Sequence, residues 1–249
     1  MRDRWSQGLD YNPESLSEWA QLLFTGEQRV AEEVLRSLDR QQAGQLIERR
    51  ETQYNVSSVF HVIIGAWHPG ARSGCCKISD RNGRKVAKDR SGHANILAKL
   101  VELGADLGAK DVAGYTPLHH CLTSQANSET LAMAATLLKA GADPNLQNRF
   151  GCSPMFGCVM VANLDAIKLL LKHGARTDVK ENDGGLTCLE LANNLPSVNV
   201  LFSEASRRAA KRERQEQKAA GIFDCSGGCG KRGTKRCSGC YLVSYLSDP

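Results

Sequence analysis

The 249 residues suffice to bury a core and to hold one medium domain with a small appendage. Hydrophobic residues at 41% and charged residues at 24% suit a globular chain, and no apolar run approaches the roughly 18 residues of a membrane span, which excludes a transmembrane role. The formal charge of +5 is uneven: residues 203–249 hold ten Lys/Arg against five Asp/Glu, residues 67–91 hold seven against two, and the remainder is acidic.

The opening stretch MRDRWSQGLD lacks the apolar segment of a secretory signal. A cytoplasmic or nuclear protein is therefore expected, in which ten cysteines are not a disulfide framework. Residues 1–54 read as an N-terminal helical region. Ser15 and Glu18 have capping-box spacing ahead of Trp19, Leu22 and Leu23, and Val30, Val34, Leu35 and Leu38 form a second amphipathic run. These helices are expected to cap whatever follows, with a separate interaction module as the alternative.

A repeat occupies 55–205. Three stretches end alike, at Gly104-Ala105-Asp106, Gly141-Ala142-Asp143 and Gly174-Ala175-Arg176, each behind a helical apolar pattern such as Leu164, Ile167, Leu170 and Leu171. A glycine directly after such a pattern suits a left-handed helix C-cap. A second landmark follows each: Gly114-Tyr-Thr-Pro-Leu-His119, Gly151-Cys-Ser-Pro-Met-Phe156 and Gly185-Leu-Thr-Cys-Leu-Glu190. Thr116, Ser153 and Thr187 are spaced by 37 and 34 residues. The stretch 67–91 is polar, basic and glycine-containing, so a loop is expected there. Its Cys75-Cys76 pair has no partner pair nearby. Beyond the repeats, 203–220 is rich in helix formers, with Glu204 and Arg208 in the favourable i, i+4 order, and 206–221 reads as an exposed linker helix. Within it Lys211-Arg212-Glu213-Arg214 has the form of a nuclear-localisation patch.

The segment 222–249 gathers four cysteines as Cys225-x3-Cys229-x7-Cys237-x2-Cys240. Two close pairs in a glycine- and lysine-rich stretch supply what tetrahedral zinc ligation needs, thiolates about 2.3 Å from the ion. With almost no core of its own, such a segment would draw its folding energy from the metal. One Zn2+ ion at most is expected.

The repeat resembles the ankyrin repeat, a β-turn and two antiparallel helices over about 33 residues. Thr116-Pro117-Leu118-His119 and the Gly-Ala-Asp triplets carry the resemblance. It implies an all-α fold, an ankyrin-repeat solenoid of helix-turn-helix units with hairpin tips, joined to a small irregular zinc-finger-like end. In that family about 21 residues separate the Thr from the next Gly-Ala. Ser153 to Gly174 keeps that spacing, and Thr116 to Gly141 exceeds it by four residues, placed around 124–128. A weaker copy from Ser58-Val59-Phe60-His61 to Gly104 carries an insertion at 67–91, and the copy from Gly185 reads as a terminal cap. The resemblance assigns His119 to a hydrogen-bond network that holds the turns, so that neither it nor the adjacent His120 is catalytic. Cys121, Cys158 and Ala192 occupy equivalent small-residue core positions. It also implies that hairpin tips contact targets, which makes Asp111, Val112, Asn148, Arg149, Phe150, Glu181 and Asn182 the expected partner-binding residues.

The cysteine segment resembles the opening half of a MYND finger, a family with eight ligands in two interleaved zinc sites. Cys225, Cys229, Cys237 and Cys240 match the first four ligands and Tyr245 the aromatic before the fifth, but Leu246 stands in the fifth ligand's place. Either the four thiolates share one ion, or the segment is a truncated remnant.

These features imply a non-enzymatic adaptor or scaffold, a monomer, with protein partners in the ankyrin groove and zinc in the tail. There is no phosphate-cradling glycine loop, nucleophile elbow or HExxH. The alternative is a nucleic-acid-linked transcriptional regulator that uses Lys231, Arg232, Lys235, Arg236 and the basic loop.

Overall fold

A computed structural model describes residues 16–51, 55–67, 92–122, 127–219, 223–224 and 232–233. The chain divides into two compact units, 1–198 and 199–249. In the first, helices come in pairs. α1 (Glu18–Thr25) and α2 (Gln28–Ser37) are followed by α3 (Arg40–Glu48). Next come α4 (Ser58–Trp67) with α5 (Gly92–Glu102), α6 (Pro117–Cys121) with α7 (Ser128–Lys139), and α8 (Pro154–Met160) with α9 (Leu164–Lys172). α10 (Cys188–Ala192) precedes α11 (Pro196–Ala219), within which the boundary between the units falls.

First helices stack on first helices: α1 on α4, α4 on α6, α6 on α8, α8 on α10. Second helices do the same, α2 on α5 and α5 on α7. The N-terminal pair thus stacks on the first repeat as one more repeat would. Its details differ from the sequence reading. The cap of α1 is Ser17, which accepts the Ala20 N–H, and Ser15 lies outside the described residues. The carboxylate that completes this cap comes from Glu51, far along the chain, whose Oε2 accepts the Ser17 N–H at 3.1 Å. Asp39 and Gln42 form a reciprocal capping box on α3.

Covered by α1 on one side and α6 on the other, α4 is buried throughout 58–66. The core continues through Ile96, Leu97, Leu100, Leu118, Met133, Leu137, Met155, Val159, Ile167 and Leu170. Each such side chain contributes roughly 1.5–3 kcal/mol when taken out of water. His93 locks the N-terminal pair to this core. Its Nε2 donates to the Phe24 carbonyl oxygen at 3.0 Å, and its Nδ1 lies 3.5 Å from Glu129 Oε1. The ring is packed against Gly65, where an added Cβ would collide with the Phe24 carbonyl oxygen.

Trp67 belongs to α4, so the inserted segment begins after it and separates α4 from α5; residues 68–91 lie outside the described residues. The four-residue extension falls between α6 and α7, a connection over 122–127 where the next repeat needs only 161–163. Asn127 caps α7 and Ser128 is already its first residue, so the extension ends before 127. The linker expected at 206–221 is not a separate element. α11 is continuous from Pro196, with Val198 and Phe202 buried in its opening turns. In the second unit, β1 (Phe223–Asp224) pairs antiparallel with β2 (Arg232–Gly233), Asp224 opposite Arg232. Among the described residues no helix is long and apolar enough to cross a membrane.

Candidate binding surface of the repeat stack

The last three repeats each open with a tight hairpin whose turn is held by one side chain. Asp111 Oδ1 accepts the Ala113 and Tyr115 N–H groups at 2.8 and 2.9 Å. Asn148 Oδ1 accepts those of Phe150 and Cys152 at 2.9 and 3.0 Å. In the last repeat the tip is one residue longer, and glutamate takes over. Glu181 Oε1 reaches Gly184 N at 2.6 Å, and its Oε2 reaches Asp183 N at 2.8 Å. The extra methylene of glutamate matches the extra residue of the turn.

Adjacent tips are joined through backbone. Arg149 N donates to Ala113 O at 3.1 Å and Asn182 N to Phe150 O at 2.9 Å. This contact is so close that a Cβ at Gly114 would stand 2.7 Å from Arg149 N, and one at Gly151 2.9 Å from Asn182 N. Both glycines also have positive φ, +81° and +74°, so two independent constraints demand glycine there. Gly185 has positive φ alone, and among the described residues nothing lies within 4 Å of a Cβ there.

Behind the tips, the histidine network expected from the sequence is present. Thr116 N donates to His119 Nδ1 at 3.1 Å, which fixes the proton on Nε2, and Nε2 donates to Cys152 O of the next repeat at 3.1 Å. Burial pushes the His119 imidazole down to about 4. Phe156 fills this place in the next repeat and is buried. Glu190 fills it in the last, capping Thr187 locally where no following repeat offers a carbonyl.

His120 is equally structural. Its Nε2 donates to Asp111 Oδ2 at 2.9 Å, and its ring stands edge-on to Phe60 at 5.3 Å. Cys121, Cys152, Cys158 and Cys188 are buried and form no disulfide. Burial raises the Cys121 thiol well above the ordinary range and the Cys158 and Cys188 thiols to about 12, which suits packing rather than nucleophilic chemistry.

The seven residues expected to meet a partner therefore separate. Asp111, Asn148 and Glu181 are buried and spent on the turns, a correction to the sequence reading. Its physical cause is that a turn with inward backbone N–H groups needs an acceptor at its base. Asn182 is exposed, though its Nδ2 donates to Arg149 O at 3.2 Å. Val112, Arg149 and Phe150 retain accessible side chains. The signal that could have separated them was Asx-x-x-Gly ahead of the helix start, at Asp111–Gly114 and Asn148–Gly151. The structure adds residues on the first helices. α4 is covered over 58–66 and α6 throughout, whereas α8 exposes Gly157 and Met160, the latter 63% accessible, and α10 exposes Leu189 at 43%. Cys225, Cys229, Cys237 and Cys240, with Lys231, Lys235 and Arg236, lie outside the described residues. Among the described residues no group of three or more His, Cys, Asp or Glu is placed to hold a metal.

Stacked helix pairs joined by hydrogen-bonded tips define a solenoid repeat protein, and comparison with known proteins specifies the repeat. A family described as ankyrin repeats (3 copies) matches residues 122–211. The chain is 41% identical over 64 residues to the ADP-ribosylation factor GTPase-activating protein AGD2 of Arabidopsis thaliana, covering 26% of this chain and 8% of that protein. It is 32% identical over 93 residues to an ankyrin repeat-containing protein of Schizosaccharomyces pombe, 37% of this chain and 42% of the relative. It is 28% identical over 113 residues to ankyrin repeat protein R664 of Acanthamoeba polyphaga mimivirus, 43% of this chain and 67% of the relative. The chain thus matches only a small part, 8%, of the plant protein's length. The chain contains ankyrin repeats, and its fold is an all-α ankyrin solenoid.

Proposed function

We propose that the protein is a non-enzymatic adaptor, a monomer of the cytoplasm or nucleus, whose repeats bind a partner protein. Ankyrin repeats are modules of protein–protein interaction, and one observation supports a place for the contact. The first helices of the early repeats are buried, whereas α8 and α10 expose Met160 and Leu189, and the tip ahead of α8 presents Arg149 and Phe150. Phenylalanine, methionine and arginine are among the residues enriched at protein interfaces. The test compares capture of a partner by the whole chain with capture by Met160→Asp/Leu189→Asp and Arg149→Glu/Phe150→Ala. Both variants should keep the urea midpoint, since the side chains are accessible, and lose at least about tenfold in affinity, roughly 1.4 kcal/mol. Undiminished capture by both would refute the assignment.

We further propose that Cys225, Cys229, Cys237 and Cys240, in the segment similar to a MYND finger, hold one Zn2+ ion. An all-sulfur donor set suits zinc. In support, β1 ends at Asp224 and pairs in register with β2 from Arg232, and the sequence between them carries Cys225 and Cys229. Zinc measured per chain after gel filtration should equal one. A value of zero in protein prepared without chelator would refute it.

A further inference from the structure

From Ser203 to Glu216, α11 is exposed apart from the half-buried Ala205, and three of its cations share one line. At 3.6 residues per turn, positions 207, 211 and 214 fall on one line along the helix, and all three are cations: Arg207, Lys211 and Arg214. The next line, Glu204, Arg208, Arg212 and Glu216, carries both signs, and Arg208 meets Glu204 at 3.5 Å. Glu213 stands on the side away from the cation line.

Like charges at i, i+3 and i, i+4 repel and weaken a helix. A helix built only for its own stability would interleave the available glutamates with the cations. Here only Glu204 stands one turn from a member of the line, and it meets Arg208 instead; among the described residues no ion pair joins a carboxylate to Lys211 or Arg214. Arg207 only donates to its own helix, Nε to Ser203 O at 3.3 Å. The cation line is therefore available to an external anion.

The residues 203–219 contain no aromatic and no apolar side chain larger than alanine. That removes the apolar face required for insertion into a lipid surface and the seam required for pairing with an acidic helix. Exposed carboxylate partners would add only about 0–1 kcal/mol per pair. A nucleic-acid duplex differs, because it presents one charge per about 1.7 Å, and cations that bind it release condensed counterions. The line from 207 to 214 is about 10 Å long and so faces more phosphates than it has cations.

We propose that this face of α11 binds the phosphate backbone of a nucleic-acid duplex. The site is separate from the repeat surface and does not depend on the adaptor reading. The test titrates the full chain against a short fluorescent DNA duplex of arbitrary sequence between 50 and 200 mM salt. Each cation that contacts phosphate contributes about −0.9 to the slope of log K against log salt. Arg207→Gln/Lys211→Gln/Arg214→Gln should reduce the slope by about 2.7, making affinity roughly 40-fold less sensitive across that range. Arg208→Gln/Arg212→Gln, on the mixed line, should leave the slope within about one of wild type. Helix content by circular dichroism should be unchanged in both, since glutamine is a good helix former. The proposal is overturned by absence of binding at 50 mM salt, by an unchanged slope in the triple variant, or by equal loss per charge in the two variants. It is also overturned if polyglutamate competes as well as unlabelled duplex, which would assign the face to acidic protein.

Discussion

Alanine replacing glycine inside a helix normally stabilises it, by about 1 kcal/mol. Gly65 in α4 should do the opposite. An added Cβ would collide with the Phe24 carbonyl oxygen and stand 2.9 Å from His93 Nε2, the two atoms of the hydrogen bond that joins the N-terminal pair to the repeats. Overpacking of this kind costs about 1–3 kcal/mol, and separating a buried donor from its acceptor adds about 1–3 kcal/mol. Set against the propensity gain, Gly65→Ala should lose a net of roughly 1–5 kcal/mol, at about 2–4 °C in Tm per kcal/mol for a unit of this size. Gly44 in α3 and Gly157 in α8 are the controls, because a Cβ at either meets nothing within 4 Å. Each of those alanines should gain about 0.5–1 kcal/mol. Urea titration of the three variants beside wild type measures the differences. A Gly65→Ala protein as stable as wild type, or all three shifting in one direction, would refute the packing described around His93.

His61 and His119 are held neutral by burial, each down to about 4 against an ordinary 6.5. Above pH 6.5 neither folded nor unfolded chain is protonated there. As pH falls toward 4 only the unfolded chain takes up protons, so stability should fall by up to about 1.4 kcal/mol per pH unit for each histidine. His119→Gln should remove one of the two contributions, and a pH-independent urea midpoint across this window would contradict the burial. Cys121, Cys152, Cys158 and Cys188 should resist a thiol reagent at neutral pH and react only in denaturant, as read by mass mapping of labelled peptides. Rapid native labelling at these four would show the core to be open. Glu181→Asp shortens the side chain that closes the longer third tip and should cost about 1–2 kcal/mol. Deleting Gly184 in the same chain, which restores the length of the other tips, should recover most of that loss.

The sequence by itself determined the repeat, because its landmarks are local. Gly104, Gly141 and Gly174 sit at φ of +88°, +96° and +82° with open space around them. Backbone conformation alone selects glycine there, and such a requirement shows wherever it recurs in phase. The His119 network was legible for the same reason, since its Thr116 partner is three residues away. Tertiary structure decided what depends on distant chain. The cap of α1 needs Glu51, and the fit of Gly65 needs both Phe24 and His93. It also decided which tip residues face outward. Asp111, Asn148 and Glu181 look like surface groups in a list of polar residues, yet each is turned inward by backbone N–H groups that only the folded hairpin brings together. Exposure along the first helices was illegible as well. Leu118, Met155 and Leu189 share one place in the repeat, and only the last is accessible, because no repeat follows it to cover the side chain.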